Sequence, residues 1–64
     1  MKFGDRLKAL RAAAGLTQDA LARRAKVPVG TIRHLEQTGD DPSWATAVRL
    51  AKALRVPLDS FVKR

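Results

Sequence analysis

With 64 residues, 13 Lys and Arg against 6 Asp and Glu, the chain carries a formal charge of +7 and has room for one domain. Hydrophobic residues fill 45% of positions, but eleven of these are alanine, so eighteen larger apolar side chains must supply nearly the whole core. The absence of cysteine excludes disulfides and thiolate metal sites, and no run approaches the roughly 18 apolar residues of a membrane span.

One histidine, one glutamate and five aspartates, none in a catalytic or metal-binding spacing, argue against an enzyme, a metal or a cofactor. The first six residues lack the apolar stretch of a secretory signal, so a cytoplasmic location is expected. Stability must come from well-packed helices, which an alanine-rich composition favours.

The first helix is predicted from about Lys2 to Ala14, where Phe3, Leu7, Leu10 and Ala14 recur on one face and Gly15 supplies a left-handed stop. Thr17 is a good N-cap for a second, short helix ending near Ala25, with Asp19 in its first turn and Leu21, Ala22 and Ala25 inward. Val27-Pro28 breaks the chain and starts a third helix over about 28–37, with Ile32 and Leu35 inward and Gly30, Arg33, His34 and Gln37 outward. Thr38-Gly39-Asp40-Asp41-Pro42 is a dense turn signal. Ser43 then caps a fourth helix whose expected buried stripe is Trp44, Ala47, Val48, Ala51 and Leu54, with Leu50 beside it. Val56-Pro57 repeats the restart, and Leu58, Phe61 and Val62 close the chain with a fifth helical segment. No stretch alternates as a strand would.

The charge is uneven. Residues 1–35 hold eight basic against two acidic residues, +6, and residues 36–64 hold five against four, +1. A basic half on a small helical domain points to a polyanion, nucleic acid first. Two short helices joined by a tight turn, the second with a polar outer face, form a helix-turn-helix candidate.

The string Leu7-x-x-Leu10-Arg11-x-x-x-Gly15-Leu16-Thr17-Gln18-x-x-Leu21-Ala22 resembles the lambda-repressor-like (Cro, or XRE) family of DNA-binding domains. The resemblance continues through Val27, Ile32, Glu36, Pro42-Ser43, Thr46, Leu50-Ala51-Lys52-Ala53-Leu54 and Val56-x-Leu58-Asp59, and covers about residues 5–62. It implies an all-α, compact five-helix domain in which helices two and three form the helix-turn-helix and helix three enters the major groove by its N-terminal end.

Carried over by position, the residues implied at DNA are Thr17, Gln18, Arg23, Arg24, Lys26, Val29, Gly30, Thr31, Arg33, His34 and Thr38. Gln18 matches the amide that holds a phosphate and braces the recognition helix. Arg33 is the first candidate for base reading, since a guanidinium donates two hydrogen bonds to guanine, and phosphate contact is its rival role. Arg11 and Glu36 match the family's ion pair between helices one and three. Lys26 stands where glycine is usual, which implies a positive φ. Asp40 and Asp41 stand where relatives often present basic residues, and they are the exception in an otherwise basic surface.

The leading expectation is a sequence-specific transcriptional regulator, acting as a repressor and binding double-stranded DNA as a dimer on a palindromic operator. Leu58, Phe61 and Val62 are the candidate dimer contacts. The alternatives are the DNA-binding part of a toxin–antitoxin or phage-immunity switch, with a toxin or other protein partner, and a protein-interaction module on the same fold. No membrane role is expected, and the resemblance implies a bacterial or phage-encoded protein associated with the nucleoid.

Overall fold

The computed structural model describes residues 3–61. Four α-helices follow in chain order: α1 (Phe3–Ala13), α2 (Gln18–Ala25), α3 (Val29–Thr38) and α4 (Trp44–Leu54). A single 3-10 turn, Leu58–Phe61, closes the described chain, and no strand occurs among the described residues.

The expected fifth helix is therefore corrected to one 3-10 turn. Pro57 follows the end of α4 almost at once, and the Ser60 N–H bonds to the Pro57 carbonyl at 2.9 Å, an i→i+3 bond that tightens the backbone beyond α geometry. Val62, expected to extend this segment, lies outside the described residues, as does Lys2 at the expected start of α1.

The helix boundaries follow from caps. Thr17 Oγ1 accepts the Ala20 N–H at 3.0 Å, and Ser43 Oγ accepts the Thr46 N–H at 3.2 Å, so each satisfies an otherwise unpaired amide. Pro28, with φ at −62°, precedes α3 and offers no side-chain cap. Three helix ends share one stop: the Leu16, Val27 and Val56 N–H groups reach back to the Arg11, Ala22 and Ala51 carbonyls at 3.1, 3.0 and 3.0 Å. The residue before each lies in the left-handed region: Gly15 at φ 71°, Lys26 at φ 60° and Arg55 at φ 58°. Glycine at Gly15 and the positive φ at Lys26 follow the sequence reading; Arg55 was not anticipated.

The core takes one large side chain from each helix. Leu7, Leu21, Ile32 and Leu50 have no exposed surface. α1 packs on α3, and α2 packs on both α3 and α4. The 3-10 turn docks on α4 and α1, with the Phe61 ring stacked on Phe3 at 4.8 Å. Gly4 is buried where α1 meets α3: a Cβ there would overlap the Leu35 carbonyl oxygen and lie 3.1 Å from Glu36 Cα. Only a residue without a side chain permits that approach.

Two expectations about apolar faces are corrected. Ala14 is exposed beyond the end of α1. In α4 the buried set is Leu50, Ala51, Ala53 and Leu54, whereas Trp44 is 74% exposed and Ala47 and Val48 are only half-buried. The docking of α4 on α2 selects the C-terminal half of the helix, so its first turn runs past the core.

Candidate nucleic-acid interface

A three-way polar contact fixes the angle between α2 and α3. Glu36, near the end of α3, accepts from Arg11 Nε at 2.7 Å and from Arg11 Nη2 at 3.1 Å, a two-pronged pair. Its Oε1 also accepts from Gln18 Nε2 at 3.1 Å, and Gln18 is the first residue of α2. Arg11 Nη1 donates to the Leu16 carbonyl at 2.9 Å, which ties in the α1–α2 loop. The Glu36 side chain is 3% exposed and Arg11 16%. The Arg11 pKa is raised above its ordinary value, chiefly by the hydrogen bond to Glu36; burial opposes this and the charge of Glu36 adds to it.

With its inner face held, α3 turns its other face outward. Gly30, Arg33, His34 and Gln37 are exposed, while Ile32 and Leu35 on the opposite side are buried. A Cβ added to Gly30 would meet nothing within 4 Å, so the first turn of α3 leaves its backbone accessible. This is a helix held by its polar end and its apolar stripe, with its outer face open from Gly30 to Gln37.

The helix-turn-helix domain family matches residues 2–61, almost the whole chain. This chain belongs to that family, in its Cro/XRE-type branch. Among solved structures it is similar to the restriction-modification controller protein C.AhdI from Aeromonas hydrophila, at 30% identity and a TM-score of 0.87, covering 92% of this chain and 89% of that one. No curated protein matches it. Family and likeness together make this protein a DNA-binding transcriptional regulator.

The helix-turn-helix domain distributes its DNA-directed candidates as follows. Arg23 and Arg24 are exposed near the C-terminal end of α2, and Lys26 caps that end. Thr17 is exposed and its hydroxyl is engaged in the cap, while Gln18 is half-buried against Glu36. Val29 and Thr31 are half-buried, and Val29 packs against the core, so little of its surface is left for a groove. Thr38 Oγ1 donates to the His34 carbonyl at 2.8 Å and accepts the Asp40 N–H at 3.1 Å, shaping the exit from α3.

Three features of this helix-turn-helix domain escaped the sequence reading. His34 Nε2 donates to Asp40 Oδ2 at 2.9 Å, so one of the two unexplained carboxylates engages an exposed side chain of α3. The spacing of six crosses the end of α3 and matches no helical pair rule. Arg49 Nη1 donates to the Lys26 carbonyl at 3.2 Å, joining α4 to the α2–α3 turn. Trp44 gathers with Phe3, Pro42, Ala47, Leu58 and Phe61 into an exposed apolar hollow of about 220 Å³, with Asp41 on its edge. Among the described residues no group of three His, Asp or Glu gathers to hold a metal, and no helix is long and apolar enough to cross a membrane.

Proposed function

We propose that this protein is a sequence-specific repressor that binds a two-fold operator as a homodimer, with one α3 in each of two successive major grooves. The observation that carries this reading is the outward face of α3. Gly30 and Arg33 stand exposed on its N-terminal half and His34 just beyond, while its other end is bound through Glu36 to both α1 and α2. A recognition helix needs that combination, because base reading demands a fixed entry angle.

In this reading Arg33 reads a base, and Arg23, Arg24 and Lys26, with the amides of Thr17 and Gln18, hold phosphates. The Arg11–Glu36 pair positions α3. The apolar hollow with Trp44, Leu58 and Phe61 is the dimer face: a tryptophan this exposed beside two half-buried apolar residues suits a second copy of the same surface. The likeness to a restriction-modification controller protein supports the regulator reading.

Selection from a random duplex library tests the reading. Enrichment of an inverted repeat with half-sites about one turn apart, bound by two protomers in light scattering, is expected. Trp44→Glu should leave a monomer that binds the same duplex weakly. An enriched site without a repeat, bound by one protomer, contradicts the dimer.

A further inference from the structure

The helix ends that meet beside the α2–α3 turn bring together charge that the sequence separates. Arg24 and Lys26 come from the basic first half, and Arg49, Lys52 and Arg55 from the nearly neutral second half. All five line one open cleft of about 740 Å³, in which no acidic residue takes part. Its remaining lining is two small buried side chains, Ala25 and Ala53, which leave the space between the cations unfilled. Among the described residues none of the five has a carboxylate partner. The four acidic residues of the second half are placed elsewhere: Glu36 on Arg11, Asp40 on His34, Asp41 at the apolar hollow and Asp59 in the 3-10 turn.

The backbone adds a second observation. The three matching helix stops place Gly15, Lys26 and Arg55 in the left-handed region, which favours glycine. The stop away from the cleft uses glycine. The two that border it use cations, and these are the only non-glycine residues at positive φ among those described. Non-glycine residues held in sparsely populated backbone regions cluster at functional sites. Helix dipoles explain part of the preference for cations at C-terminal ends, but they fall off within one turn and need no shared cleft.

We propose that this cleft is a second phosphate-binding site, which holds the backbone of the same duplex on the outer side of the half-site read by α3. Position favours DNA as the ligand. Lys26 stands at the turn that leads directly into α3, so the cleft adjoins the recognition helix. Along α4, 11 residues separate the Trp44 end from the Arg55 end, about 16 Å at 1.5 Å per residue. If the dimer axis passes by Trp44, the cleft lies away from it, toward the flanking DNA. Three arginines among the five cations suit phosphate oxygens, which the planar guanidinium meets with paired donors.

This inference rests on the DNA-binding reading, and the two fail differently. The test compares the native protein with Lys52→Ala/Arg55→Gly, which removes two cleft cations outside the operator-binding set and places glycine at the α4 stop. Two duplexes are used: the selected operator trimmed to its half-sites, and the same operator extended by roughly one turn at each end. The variant should keep the native thermal midpoint within a few degrees and its affinity for the trimmed duplex. It should lose the extra affinity of the extended one, with a salt slope shallower by roughly 0.9 for each phosphate released. Identical slopes for both proteins on both lengths, or an equal loss on both lengths, overturn the proposal. Binding of poly-glutamate that the variant abolishes, with its DNA slopes unchanged, also overturns it and assigns the cleft to an acidic protein surface. Failure of the native protein to bind any duplex contradicts the DNA reading itself, and this proposal with it.

Discussion

Glu36 Oε1 accepts from Arg11 of α1 and Gln18 of α2 at the same distance, 3.1 Å, so one carboxylate of α3 is held by both preceding helices. The angle of α3 against the two preceding helices is thus set by a polar contact as well as by the apolar core.

Removing that carboxylate leaves Arg11 enclosed without a partner. Breaking a buried pair costs about 3–5 kcal/mol, and because Arg11 keeps 16% exposure the lower end of that range is expected for Glu36→Ala. A thermal melt should fall by at least 10 °C, at about 4–8 °C per kcal/mol for a domain of this size. A midpoint unchanged within error contradicts the enclosed pair. The folded pKa of Arg11 is the raised one, so its contribution is complete below the unfolded value and is lost only as pH rises through the folded pKa. Native stability should therefore show no loss from this side across neutral and mildly alkaline solution.

Gly4→Ala tests the contact of α1 on α3. The added methyl has no room beside the Leu35 carbonyl, which is backbone and cannot rotate away. Overpacking of this kind costs about 1–3 kcal/mol, against the gain of up to about 1 kcal/mol that alanine brings to an open helix position. Denaturant unfolding should show a net loss, and an equal or higher midpoint contradicts the packing.

Gly30→Ala should do the opposite. Nothing lies within 4 Å of its added Cβ, so the helix gains about 0.5–1 kcal/mol. Binding to the selected operator should weaken in the same variant, since the methyl stands where α3 approaches the groove. Stabilisation with unchanged affinity removes Gly30 from the interface.

Asp40→Asn should tighten DNA binding. The carboxylate holds His34 Nε2 and carries negative charge at the exit of the recognition helix. Its loss frees the imidazole and removes a repulsion from phosphate. An affinity gain that shrinks with added salt is expected, and a loss of affinity means that Asp40 orients His34 for binding.

Much of this was legible in local chemistry. Thr17 and Ser43 mark helix starts because their hydroxyls satisfy amides nearby in sequence, and Gly15 marks a stop because the backbone there needs a positive φ. The Arg11–Glu36 contact was implied only by family resemblance, since residues so far apart have no local spacing rule. What stayed hidden depends on which helix end meets which. Trp44 fits an apolar stripe as well as Leu50 does, and only the docking of α4 on α2 leaves one 74% exposed and the other fully buried. Gly4 reads as a weak helix residue until α3 lies against it. The cleft of five cations is invisible in a charge count that gives the second half only +1.

The central claim is that α3 reads DNA through its exposed face, and the most direct measurement is the salt dependence of operator affinity for the native protein and Arg33→Ala. With about six phosphates neutralised, log K should fall with log salt at a slope of roughly −5. Arg33→Ala should lose about 1–3 kcal/mol on the selected operator and discriminate less against a change at one base pair. A native slope near zero, or an Arg33→Ala protein that binds operator and scrambled duplex as the native protein does, contradicts the account.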